Sequence, residues 1–132
     1  MARSQIDSTL VPIGALALLL AACVVWLALG SRYVGRLWIV DGLSMAPTLV
    51  QGDWIWIDRW TLSQRRPEVG ELVLFELPED GRWVVKRVQR SSTKEIWVLG
   101  DNPQQSLDSR QLGPISAEQL VGRVAWSSRR AD

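Results

Sequence analysis

The stretch RWVVKRVQ, residues 82–89, has the alternation of a β-strand and carries a lysine among its apolar residues. Because successive side chains of a strand point to opposite faces, Val84, Lys86 and Val88 share one face. The opposite face carries Trp83, Val85 and Arg87. The two valines indicate a buried face, and burial lowers the pKa of a lysine. The alternative is a lysine whose stem packs against the valines while its ammonium reaches water.

Runs of strand-forming residues and turn signals continue on both sides of this strand. The tetrapeptide Pro78-Glu79-Asp80-Gly81 predicts a hairpin with a strand over 71–77. In the run 54–57, tryptophans lie on one face and isoleucines on the other. A helical turn is predicted over 116–120, with Ser116 as its cap. Further strands are predicted over 36–40, 95–99 and 121–126, so residues 31–132 are expected to form a small, mostly β domain.

An apolar segment, LVPIGALALLLAACVVWLAL, occupies residues 10–29, and no charge occurs between Asp7 and Arg32. As a helix, these residues would reach about 30 Å, the thickness of the hydrocarbon core of a bilayer. We therefore predict an N-terminal tail over 1–9 and a transmembrane anchor over 10–30. The competing interpretation is a cleaved signal peptide ending at Ala28-Leu29-Gly30, but the apolar part of such peptides is shorter, about 7–15 residues. Flanking charges are too evenly divided to orient the span.

The composition argues against several classes of function. The net charge of the chain is +1, so a nucleic-acid partner is not expected. The single cysteine, Cys23, lies inside the apolar segment, and the chain has no histidine. An intrachain disulfide is therefore impossible, and neither zinc chemistry nor any cofactor is expected.

The stretch DGLSMAPTL, residues 41–49, holds a serine that could act as a nucleophile. A serine hydroxyl needs a base, and without histidine the candidate is Lys86, because a buried neutral amine is a competent base and Ser-Lys pairs are known. Taken singly, Ser44 is more simply explained as a turn residue. The residues alone leave both interpretations open.

Four motifs, taken together, are more specific. In chain order they are GLSMAPTL (42–49), GDW (52–54), VKRV (85–88) and GDNPQQSLDSRQLGPI (100–115). This set resembles the type I signal peptidase family, which are membrane-anchored serine proteases with a Ser-Lys dyad. The resemblance covers nearly all of the chain beyond the anchor. It implies an all-β catalytic domain on the extracytoplasmic side of the membrane, acting on precursor proteins with N-terminal signal or pro-peptides.

The resemblance also implies roles for individual residues. Ser44 matches the nucleophile and Lys86 the general base, with the Ser44 backbone N–H in the oxyanion hole. In some members, a serine two positions before the nucleophile donates a second hydrogen bond to the oxyanion. This chain has Gly42 at that position. Substrates would carry small residues at the first and third positions before the cut bond.

The supporting residues are also inferred from the resemblance. Ser106 matches a serine that hydrogen-bonds the lysine, Asp108 and Arg110 match a salt bridge, and Arg87 matches a basic residue that joins this pair. The turn that shapes the backbone of the site would be formed by Asp101 and Asn102.

Alternatives remain at this stage. Only 13 residues separate Lys86 from Gly100, so the second β domain of larger members is absent. The short form also resembles peptidases dedicated to nickel-type superoxide dismutase. The other candidates are a non-catalytic anchored β module and a self-cleaving repressor protease, although the latter lacks the Ala-Gly or Cys-Gly site it would need. A separate question concerns Trp54, Trp56 and Trp60, which could face a bilayer or the core.

Overall fold

A computed structural model describes residues 13–33 and 35–129 of the chain. The predicted tail over 1–9 and the first three residues of the predicted anchor lie outside these residues. The chain divides between Arg32 and Tyr33 into two compact units, and each is described separately.

In the described part of the first unit the chain forms one helix, α1 (Ile13–Tyr33), whose sequence is rich in alanine and leucine. Its 21 residues span about 31 Å. The segment Ile13–Gly30 has a mean hydropathy of 2.5, so this helix is long and apolar enough to cross a membrane. The apolar N-terminal helix predicted from the sequence is thus present, and it ends three residues later than expected.

The second unit is a six-stranded antiparallel sheet with the order β1-β2-β6-β3-β4-β5. Each predicted strand is present to within about two residues, which confirms the mostly β fold. The strands are β1 (Arg36–Ile39), β2 (Trp54–Asp58), β3 (Leu72–Glu76), β4 (Trp83–Ser91), β5 (Ile96–Leu99) and β6 (Leu120–Ser127).

Short helical segments complete this unit. The predicted turn after Ser116 is a 3-10 helix, Ala117–Gln119. Two short helices that the sequence analysis missed are α2 (Trp60–Gln64) and α3 (Ser109–Leu112), and Pro103–Gln105 forms a further 3-10 turn. Four or five residues are too few to show the helical period, so capping residues were the only available signal.

The sheet is covered by apolar clusters on both faces. Within β3, Val73 and Phe75 belong to one cluster while Leu74 belongs to the other, which explains why this strand is apolar at every one of these positions. The first cluster also contains Leu77, Val88, Ile96, Val98 and Ile115. The second contains Val40, Met45, Leu49, Ile55 and Ile57.

The structure also decides how the tryptophans of β2 are placed. Ile55 and Ile57 are buried, whereas Trp54 and Trp56 are 45% and 38% exposed on the opposite face. Trp60, at the start of α2, is exposed as well. These three tryptophans therefore lie on the surface of the domain and not in its core.

Candidate active site

Lys86 lies in the middle of β4, where it pairs with Val73 of β3. Its side chain is only 3% exposed, between Val84 and Val88 on the same face of the strand. Lys86 therefore lies inside the domain, which decides between the two arrangements that the sequence left open: its side chain does not reach water.

The Lys86 amine donates a hydrogen bond to the Ser44 hydroxyl over a distance of 2.7 Å. The two residues are 42 positions apart, and Ser44 lies in the loop between β1 and β2. With a neutral amine, the same contact lets the hydroxyl donate to the nitrogen. This distance is within the range that a nucleophile and its general base require.

Burial lowers the pKa of Lys86 to about 8, because the ammonium loses its water. The negative charge of Asp108 opposes this change, and the positive charge of Arg110 adds to it. At pH 7 a lysine with a pKa of 8 is neutral in about a tenth of molecules, against fewer than about one in a thousand for a free lysine. A usable fraction of base is thus present near neutral pH.

The loop that carries Ser44 is held from two sides. Its side chains Met45 and Leu49 are buried in the sheet core. In addition, the backbone N–H of Asn102 donates to the Ser44 carbonyl at 3.0 Å, and the Asn102 side-chain amide donates to the Leu43 carbonyl at 3.1 Å. Asn102, which the resemblance implied would shape the backbone of the site, contacts the backbone of the serine itself.

Arg87 has a different partner from the one expected. Its guanidinium binds both oxygens of Asp101, at 2.8 and 2.6 Å, and donates to the Gly70 carbonyl at 2.8 Å. Arg87 does not join Asp108, because it faces the side of β4 opposite Lys86 while Asp108 lies near the Lys86 side chain. Asp101 in turn accepts a hydrogen bond from Thr48 in the serine loop.

The Asp108 carboxylate is fully buried and is satisfied from several directions. Arg110 donates to both of its oxygens, at 2.9 and 2.6 Å, and the backbone N–H of Gly100 donates at 2.8 Å. Burial alone would raise the pKa of Asp108, but these hydrogen bonds hold it well below its ordinary value. Ser106 donates to the same carboxylate at 2.5 Å. In this structure Ser106 thus binds Asp108, whereas the resemblance implied a hydrogen bond to the lysine.

Gly100 and Thr48 belong to the site, although the sequence analysis assigned them no role. A Cβ added to Gly100 would collide with the Ser106 side chain and lie 2.7 Å from the Ser44 carbonyl oxygen. Only glycine therefore lets β5 end directly against the serine loop. The available signal was the glycine of the GDN sequence, directly after the predicted strand over 95–99.

Ser44 opens onto a cleft of about 290 Å³. Apart from Asp41 and Arg82, the other side chains that line it are aromatic or aliphatic: Trp38, Val40, Met45, Leu74, Trp83, Val84 and Val85. The described residues include no group of three or more histidine, cysteine or acidic side chains placed to hold a metal ion.

Comparison with known proteins places the chain among the serine peptidases, which are hydrolases. The family described as signal peptidase, peptidase S26, matches residues 12–89 and 91–128. The chain therefore belongs to the signal peptidase family.

Curated relatives agree with this family. The chain is 30% identical over 122 residues to mitochondrial inner membrane protease subunit 2 of Saccharomyces cerevisiae, covering 69% of this chain and 68% of the relative. It is 29% identical over 114 residues to mitochondrial inner membrane protease subunit 1 of Mus musculus, covering 70% and 69%. It is 25% identical over 135 residues to thylakoidal processing peptidase 1 of Arabidopsis thaliana, covering 66% of this chain but 40% of that relative.

Proposed function

We propose that this chain is a membrane-anchored endopeptidase that removes N-terminal signal or pro-peptides from precursor proteins, with Ser44 as nucleophile and Lys86 as general base. The observation that carries the proposal is the 2.7 Å contact between Ser44 and a lysine that is almost fully buried. Burial disfavours the charged form of this lysine, which supports a role as a base over a role as a structural cation.

The reaction is an acyl transfer in two halves. Neutral Lys86 takes the proton of Ser44 as its oxygen attacks the scissile carbonyl, and the resulting ammonium then protonates the leaving amine. Water, activated by the same amine, hydrolyses the acyl-enzyme. The oxyanion would be met by the Ser44 N–H, which donates no hydrogen bond within the described part of the chain. One such donor contributes about 3–4 kcal/mol to transition-state stabilisation.

The remaining site residues position this pair. The bond from Arg87 to Asp101 and the bonds from Asn102 fix the serine loop. Asp108 accepts hydrogen bonds from Arg110 and Ser106 and so fixes the segment that carries these three residues. None of these residues contacts the reacting atoms, so their role is to keep Ser44 within reach of Lys86.

The proposed substrates are precursors with small residues at the first and third positions before the cut bond. The cleft beside Ser44 is small and mostly apolar, which favours short aliphatic side chains. One relative is named a processing peptidase. Removal of a leader from a precursor fits both observations.

The lipid bilayer is the second proposed partner. We propose that α1 is a single-pass anchor, with the catalytic domain on the extracytoplasmic side. Strand register brings apolar side chains together on one face of β1, β2 and β6, a surface that we call the apolar patch. Tryptophan is favoured at the membrane interface, so this patch would lie on the headgroups. Its members, all exposed, are Leu37, Ile39, Trp54, Trp56 and Trp126.

Cleavage of defined precursors tests the proposed function. The detergent-solubilised chain would be incubated with a secretory precursor and with a nickel-type superoxide dismutase precursor, and the products sequenced by mass spectrometry. A cut after a small residue in either precursor, absent for Ser44→Ala and present for the surface variant Ser63→Ala, supports the proposal. Cutting of only the second precursor shows a dedicated enzyme. Failure to cut either one favours a non-catalytic anchored module.

A further inference from the structure

Two exposed leucines lie close to Ser44 but outside the cleft. Leu43, which is 43% exposed, directly precedes the serine. Leu107, which is 44% exposed, stands between Ser106 and Asp108. Both of these neighbours are buried, so the Leu107 side chain points out of the segment that carries them. The described residues that line the cleft include neither leucine, and the proposed mechanism gives neither of them a role.

Contacts at Gly100 show how near Leu107 is to the serine loop. A Cβ added to Gly100 would lie 2.5 Å from the Ser106 Cβ and 2.7 Å from the Ser44 carbonyl oxygen, so Ser106 and Ser44 are close neighbours. Leu107 follows Ser106 directly, with about 3.8 Å between their Cα atoms. An extended peptide advances about 3.3 Å per residue, so a substrate with its cut bond at Ser44 reaches Leu107 within about three residues.

The two leucines lie on a different side of the serine from the cleft. The cleft is lined by Trp38 and Trp83, whose ring centroids are 5.3 Å apart. The turn at Asn102 holds the serine loop from outside the cleft, through hydrogen bonds to two carbonyls of that loop. When the residues before the cut bond occupy the cleft, the residues after it leave across this turn, past Leu43 and then Leu107.

The charged side chains near this turn occur in pairs. Arg87 lies 2.6 Å from Asp101, and Arg110 lies 2.6 Å from Asp108. Each guanidinium is therefore neutralised by its own carboxylate, and a charged substrate side chain finds no unpaired partner among these four residues. An apolar side chain, in contrast, removes apolar surface from water when it contacts the leucines.

We propose that Leu43 and Leu107 form an exit surface, which binds an apolar side chain within the first three residues after the cut bond. This inference rests on the proposed function and deepens it, because it concerns the part of the substrate that leaves with the new amino terminus. Partial burial of a leucine side chain against the exit surface should favour leucine over serine about tenfold.

Cleavage of paired peptides tests this selectivity. The two peptides of a pair share every residue except one, which is leucine or serine at the first, second or third position after the cut bond. In at least one pair the wild-type chain should prefer leucine about tenfold in kcat/KM. Leu43→Ser and Leu107→Ser should each lower this ratio, and the double variant should lose the preference. Val69→Ser, in the exposed turn before β3, is the matched control and should keep the ratio.

Two results would overturn the exit surface while leaving the proposed function intact. One is cleavage that depends on Ser44 but shows no preference for leucine in any pair. The other is a preference that the double variant keeps. If the leucines contact detergent or lipid and not the substrate, both peptides of a pair should change equally, so the ratio stays the same and the proposal fails.

A binding measurement separates this proposal from the proposed function. In a Ser44→Ala background the leucine peptide should bind more tightly than the serine peptide, and adding Leu43→Ser and Leu107→Ser should remove the difference. Fluorescence anisotropy of labelled peptides gives these affinities, and circular dichroism verifies that each variant is folded. If the wild type cuts no peptide but the difference in affinity depends on the two leucines, the exit surface is supported and the proposed activity fails.

Discussion

The Lys86 amine lies 2.7 Å from the Ser44 hydroxyl, although the lysine is only 3% exposed. An ammonium in such a place is costly, and this cost lowers the pKa of Lys86 to about 8. The same burial that weakens the charged form supplies a base to a serine in a chain without histidine. Lys86 therefore affects both the stability of the folded chain and the proposed reaction.

The dependence of activity on pH is the first prediction. If Lys86 is the base, kcat/KM rises about tenfold per pH unit below the pKa of the lysine and levels off above about pH 8. Lys86→Arg keeps the charge but cannot lose its proton, so it should be inactive at every pH. Peptide cleavage measured from about pH 6 to about pH 9.5 gives the profile. A flat profile for the wild-type chain would show that another group activates Ser44.

The free energy of unfolding should depend on the same proton. The pKa of Lys86 is about 8 in the folded chain, against 10.5 for an unperturbed lysine, so between these values the unfolded chain holds a proton that the folded chain has lost. Stability should therefore rise with pH across this window, by about 3 kcal/mol. Below pH 8 Lys86 is protonated in both states, so the folded chain bears the full free-energy cost of burying the ammonium.

Lys86→Met tests this linkage. It should raise the free energy of unfolding near pH 7 by about 3 kcal/mol and lose the advantage above about pH 10.5. Guanidinium unfolding of the solubilised chain, monitored by tryptophan fluorescence, measures this free energy of unfolding. The control is Lys94→Met, at the only other lysine of the chain, which should change little. A Lys86→Met variant no more stable than the wild type near pH 7 would contradict the account.

Arg110 should keep the charge of Asp108 from acting on the lysine. Arg110 neutralises both carboxylate oxygens, and its own charge also lowers the pKa of Lys86. In Arg110→Met the pKa of Lys86 should rise, which moves the pH–rate profile upward by about one unit, whereas Arg110→Lys should move it less. An unmoved profile in an otherwise active Arg110→Met variant would mean that Arg110 serves only to hold the backbone.

Gly100→Ala should damage the site without touching a reacting group. The new methyl would overlap the Ser106 side chain and press on the Ser44 carbonyl, so the serine loop has to move away from Lys86. We expect a loss of kcat of about a hundredfold, as is typical for misplacement by about 1 Å, with a smaller change in KM. Gly14→Ala, where an added Cβ meets nothing, is the matched control. Full activity of Gly100→Ala would show that the loop is not held as closely as described.

The sequence predicted the sheet well because its strands are short, rich in β-branched and aromatic residues, and separated by turns. Alternation alone also placed Lys86 between two valines on an apolar face, because the faces of a strand follow from the order of its residues, but it left open whether the ammonium reaches water. It could not predict that this lysine contacts Ser44, since a contact between residues 42 positions apart depends on how the loop folds back. The motif resemblance supplied that pairing.

Other features depended on tertiary structure in the same way. Alternation placed Arg87 opposite Lys86, but it could not choose between Asp101 and Asp108 as the partner. The approach of Gly100 to Ser44 depends on the packing of a strand end against a loop. The meeting of Trp38 and Trp83 depends on the curvature of the whole sheet. No local sequence pattern encodes any of these three contacts.

The most direct test of the account is the rate of peptide cleavage by the purified full chain, three single alanine variants and one double variant. Ser44→Ala and Lys86→Ala should each lose at least about a thousandfold in kcat/KM, while Lys94→Ala keeps the wild-type rate. The double variant Ser44→Ala/Lys86→Ala should lose little more than either single one, because the two residues act as a unit. A Lys86→Ala variant that keeps cutting within about tenfold of the wild-type rate, with the cut still dependent on Ser44, would contradict the central claim that this buried lysine is the base.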